Sequence, residues 1–120
     1  MLLLCSEGNN FFKAKNYQAA IDKYSDAIAL DPSDVTFYSN RSACYAALGR
    51  WQEAAEDGRQ CIMADTNFVK GNFRQALALQ NLGNLDTAQE AVKRGLGIDP
   101  QNADLKKMSK ELDESIRLKK

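Results

Sequence analysis

The 120-residue chain contains no histidine. That absence removes His-based general acid or base chemistry and the Ser-His and Cys-His nucleophile pairs, and it takes away the commonest metal ligand. Charge of one sign is lacking too: 16 basic residues balance 16 acidic ones, so nothing overall points to nucleic acid or an anionic membrane as partner. No apolar run approaches the ~20 residues of a membrane span. The opening Met1-Leu2-Leu3-Leu4-Cys5 is apolar but short, has no basic flank, and runs straight into Ser6-Glu7-Gly8-Asn9, so it does not read as a signal sequence. Cysteine is sparse. Cys5, Cys44 and Cys61 are odd in number and share no short metal-type spacing, which suggests free thiols in a reducing compartment and a cytoplasmic address. The close glycine pair Gly95-Leu96-Gly97 leads to Pro100 instead of a third glycine, so no phosphate loop is formed. The adjacent carboxylates Glu56 and Asp57 would point apart on a helix and read as surface charge. A non-enzymatic chain with no metal and no cofactor is expected.

Hydrophobic residues make up 44% of the chain and charged residues 27%, the balance of one globular domain. Sliding the chain on itself by 34 residues superposes Ala20, Ala54 and Ala88, together with Tyr17, Trp51 and Leu85 three positions earlier. The same shift, applied twice, aligns Leu30-Asp31-Pro32 with Ile98-Asp99-Pro100. Each copy holds two helix-sized apolar stretches separated by a break at Lys15-Asn16, Gly49-Arg50 or Gly83-Asn84. First helices are expected over about 2–14, 34–48 and 68–82, and second helices over about 17–30, 51–64 and 85–97. Strand-like alternation is absent. Beyond Asn102, the recurrence of Leu105, Met108, Leu112 and Ile116 describes a seventh, amphipathic helix. It would cap the stack, because the last pair would otherwise leave an apolar face wet. Gly8, Ala20, Ala27, Ala54 and Ala88 read as points of close helix approach, against larger partners such as Phe11, Tyr24, Tyr45, Leu79 and Val92.

Leu4, Gly8, Phe11, Ala20, Tyr24, Ala27 and Pro32 resemble the tetratricopeptide repeat (TPR) pattern; the second copy repeats it with departures at Ser42, Gly58 and Cys61, and the third with Gly95 at a small-residue site. The resemblance implies an all-α, right-handed superhelical solenoid. Its three helix-turn-helix repeats would occupy residues 1–34, 35–68 and 69–102, and its capping helix residues 103–120. Phe37 to Tyr45 and Val69 to Arg74 are further similar to the carboxylate-clamp TPR domains of chaperone adaptors. Glu56-Asp57-Gly58 adds similarity to the first TPR domain of Hsp-organising, Sti-type co-chaperones.

In a stack of this kind the first helices line the concave face. The expected first helices carry four basic and two acidic residues, the second helices four basic and seven acidic. An anionic peptide would therefore prefer the inner face. Lys70 and Arg74 project from one face of a helix, with Thr66 and Ala78 rather than carboxylates one turn away. Asn40 and Asn9 stand inside helices, where asparagine is a poor former, so each is either a tolerated surface residue or a ligand contact. The resemblance places the five clamp positions on Cys5, Asn9, Asn40, Lys70 and Arg74, with Ala43 and Ala46 shaping an apolar pocket. It implies that the asparagines hold a terminal carboxylate while Lys70 and Arg74 hold an acidic side chain and carbonyls. Cys5 departs from the usual lysine, and no cation precedes Lys13. Hydrogen bonds to charged groups contribute about 1.5–3 kcal/mol, so the loss of one corresponds to roughly ten- to a hundredfold in affinity.

The implied partner is the acidic Glu-Glu-Val-Asp tail of seventy- or ninety-kilodalton heat-shock proteins, bound by a domain that is monomeric in isolation. Two alternatives stand beside it. One is an assembly scaffold that recognises an internal peptide, which Cys5 favours. The other is the targeting domain of a larger enzyme such as a phosphatase or prolyl isomerase.

Overall fold

The computed structural model describes residues 2–119. The expected first residue of repeat 1, Met1, and the last of the capping helix, Lys120, lie outside them. Seven helices and no strand occur among the described residues: α1 (Leu2–Lys13), α2 (Tyr17–Leu30), α3 (Val35–Ala47), α4 (Trp51–Ala64), α5 (Val69–Asn81), α6 (Leu85–Ile98) and α7 (Ala103–Lys119). The expected boundaries hold to within about one residue, because the breaks are chemical.

After α1, α3 and α5 the chain turns in the same way. Asn16, Arg50 and Asn84 donate their backbone N–H to the carbonyls of Phe11, Tyr45 and Leu79, and the residue before each donates to Phe12, Ala46 and Gln80. This double closure satisfies carbonyls that a helix end leaves open, and it needs a left-handed residue. Gly49 and Gly83 supply that residue at φ 75° and 84°, and Lys15 does so at φ 62°. The second helices end on Asp31, Asp65 and Asp99, whose N–H groups reach Ala27, Cys61 and Gly95. Asp34 then starts α3 by accepting from Thr36 N at 2.9 Å, and Asn102 starts α7 by accepting from Leu105 N at 3.0 Å.

Each helix packs mainly on its neighbours in sequence, and α3 also touches α5, so these two first helices stand side by side. The stack measures 47 × 26 × 20 Å. Its core is divided. Ala20, Ile21, Tyr24 and Cys44 form one buried cluster in the first half. Ala76, Ala88, Ala91, Val92, Leu105, Met108 and Leu112 form the other. Fully burying Leu105 or Leu112 contributes about 1.5–3 kcal/mol, and these side chains seal α7 against repeat 3 as a cap. All three cysteines are free. No helix among the described residues is long and apolar enough to cross a membrane.

Candidate functional site

The site begins where α2 crosses α1. Gly8 has no side chain, and a Cβ there would stand 2.7 Å from Cε1 of Tyr24, so the tyrosine ring lies directly over the α1 backbone. Its hydroxyl donates to Oδ1 of Asn9 at 2.5 Å. The Asn9 amide is thereby oriented: Oδ1 is occupied, and Nδ2 is left with a 3.8 Å contact to Cys5 Sγ one turn back. Burial pushes the Tyr24 hydroxyl up to about 12, with smaller contributions from Cys44 and Cys5, so it stays protonated and donating at neutral pH.

On α3, Arg41 and Asn40 part company. Arg41 reaches back between helices and grips Asp57 of α4 with two bonds, Nε to Oδ2 at 2.8 Å and Nη2 to Oδ1 at 2.7 Å, while Nη1 donates to Ser25 of α2 at 3.0 Å. Its guanidinium also lies 5.9 Å from the ring centres of Tyr38 and Tyr45. Two expectations are corrected here. Asp57 is not surface charge, being 2% exposed, and Arg41 is consumed by an internal pair and adds nothing to the charge of the inner face. Burial pushes the Asp57 carboxyl up and the hydrogen bonds from Arg41 pull it down. The same bonds raise Arg41. The two-point geometry identifies a charged pair that ties α2, α3 and α4 together. With Arg41 withdrawn, Asn40 is the polar group α3 offers beside Ala43.

Arg74 of α5 is half-buried, with Nε 3.5 Å from Ser39 Oγ and its guanidinium 5.9 Å from the Phe73 ring centre. Burial draws it below its usual value, opposed by Cys61 and Cys44. It forms no ion pair among the described residues, and neither does Lys70, exposed one turn earlier. A partly desolvated cation without a carboxylate is poised for an external anion.

These groups meet in a cleft of about 260 Å³. Asn9, Asn40, Ala43 and Arg74 line it. Cys5 reaches it only through Asn9, while Lys70 and Ala46 are not part of its lining. Phe12, Lys13 and Tyr24 complete the wall. No residue of that wall is acidic. The sequence alone does not mark these three as site residues, although Lys13 stands one helical turn beyond Asn9, a spacing that puts both on one face. A larger cleft of about 770 Å³ at the α6 end, between the α5–α6 turn and Ile116 of α7, gathers none of the expected residues.

Comparison with known proteins bears on the repeat and the fold. Family models described as TPR repeat and tetratricopeptide repeat match residues 8–49 and 69–102. The chain is 42% identical over 96 residues to Hsp70-Hsp90 organizing protein 3 of Arabidopsis thaliana, a match that covers 80% of this chain and 17% of that protein. It thus spans about a sixth of such relatives. Among solved structures, the first TPR of Spaghetti (RPAP3) bound to the HSP90 peptide SRMEEVD superposes with a TM-score of 0.93 at 25% identity, covering 97% of this chain and 92% of that one. The Sgt2 TPR domain from Aspergillus fumigatus superposes with a TM-score of 0.91 at 30% identity, over 95% and 77%.

Proposed function

The chain belongs to the tetratricopeptide repeat family, and from that premise we propose that it is a co-chaperone module that binds the acidic C-terminal Glu-Glu-Val-Asp tail of seventy- or ninety-kilodalton heat-shock proteins. The binding unit is the set of three repeats, 1–34, 35–68 and 69–102, capped by 103–120. It acts without catalysis, as a cytoplasmic monomer. One observation carries this reading: Asn9, Asn40 and Arg74, drawn from three separate first helices, converge on a cleft with no acidic wall. Asn9, held by Tyr24, presents Nδ2 donors to a terminal carboxylate, and Asn40 adds its own. Arg74 and Lys70, one turn before it on α5, hold an acidic side chain further along the tail, and Ala43 receives the tail's apolar residue. The peptides named with relatives of this fold, SRMEEVD among them, end in that acidic sequence.

Calorimetric titration with peptides ending in Met-Glu-Glu-Val-Asp or Ile-Glu-Glu-Val-Asp tests the reading. The expected outcome is micromolar-range binding that weakens with salt, and is abolished by C-terminal amidation and by Lys70→Ala. No binding of either free peptide would sink it. The missing cation at Cys5 favours a second reading, a scaffold for an internal peptide segment, and binding insensitive to amidation would support that one instead.

A further inference from the structure

Resting on the clamp reading above, we propose that Lys13 is the clamp's missing cation, taking from the C-terminal end of α1 the terminal carboxylate that the residue at position 5 cannot hold. Cys5 and Lys13 flank Asn9 at equal spacing on one helix, each four residues away, so both lie about 6 Å along the axis from it, on the same face. A lysine's four-carbon stem spans that single turn. Cys5 touches the Asn9 amide but carries no positive charge, whereas Lys13 lines the same cleft as Asn9, Asn40 and Arg74.

Three further observations support the assignment. Glu7, the sole carboxylate of α1, is engaged by Lys23 of α2 at 3.1 Å, and Lys13 forms no ion pair among the described residues. The base of Lys13 is held in place: Phe12 packs edge-on against Tyr17 with ring centres 5.6 Å apart, and the carbonyls of Phe11 and Phe12 are closed by the turn that follows. Lys13 also stands in the last turn of α1, where the helix dipole favours a cation. The positive pole of the groove is thereby displaced by two turns, and the carboxylate is approached from the Phe12 side.

The test is a double-mutant cycle with one free-acid Glu-Glu-Val-Asp peptide titrated into wild type, Lys13→Gln, Cys5→Lys and the double variant. Lys15→Gln, two residues on and outside the cleft lining, controls for the general field. Lys13→Gln is expected to weaken binding about tenfold, Lys13→Arg to restore most of it, and Lys15→Gln to change it less than about twofold. If lysines at 5 and 13 serve the same carboxylate, the Lys13→Gln penalty shrinks to less than about threefold when Cys5→Lys is present. An undiminished penalty would overturn the inference, since Lys13 would then contact another part of the tail. No penalty in the wild-type background overturns it equally, and leaves the clamp standing. Absence of binding by wild type itself removes the clamp reading, and this inference with it.

Discussion

Tyr24 shows how a residue that reads as core acquires a second task. Its ring is buried because Gly8 leaves room beneath it, and its hydroxyl emerges at Asn9. Tyr24→Phe keeps the packing and removes the bond. The expected result is a stability loss of about 1 kcal/mol in urea denaturation, with peptide affinity falling severalfold as Asn9 loses its fixed orientation. A variant that loses stability but binds undiminished would show that Asn9 needs no such support. Asn9, Asn40 and Arg74 were legible in the sequence because polar or basic residues at unexplained helical positions stand out. Tyr24 and Asp57 were not, since a tyrosine at an aromatic position looks like packing, and a Glu-Asp pair does not reveal which member turns inward. Lys13 was visible only as the first cation of the chain. Its share of the cleft depends on where α1 ends relative to α3 and α5.

Among the helices, the α4–α5 interface is the most extensive, and it owes its closeness to Gly58. This residue occupies the place that Tyr24 holds in the first repeat and Val92 in the third, 34 residues away on either side. A Cβ there would stand 2.6 Å from the Gln75 backbone nitrogen and 2.8 Å from its Cα. Backbone cannot step aside as a side-chain tip can. Gly58→Ala therefore gains roughly 1 kcal/mol of helix propensity but forces α4 and α5 apart, and overpacking of this kind costs about 1–3 kcal/mol. A net destabilisation of up to about 2 kcal/mol is expected by thermal or urea unfolding, and an increase in stability would refute the tight crossing. Helix positions were readable from apolar periodicity and turn residues, as the near match of every boundary shows. How closely two helices approach was not, because a glycine in the second repeat looks like a lapse in the pattern until Gln75 is seen against it.

Taken whole, the molecule is a line of neighbours. α1 packs chiefly on α2, and α7 chiefly on α6, while α4 is enclosed on both sides. Opening should therefore start at the ends, and amide exchange is expected to be faster in α1 than in α4. A saturating peptide bound through Asn9, Asn40 and Arg74 would bridge α1, α3 and α5, slowing exchange in α1 much more than in α7. Equal protection of α7 would place the peptide elsewhere, such as the larger cleft beside Ile116. The three polar groups also have a geometric meaning. Each comes from the first helix of a different repeat, so their separations are set by the rise and rotation from one repeat to the next. A tail bound across them would work as a caliper on the superhelix: a change on the far side of α4 that alters the pitch would be felt as lost affinity, without any atom of the groove being replaced.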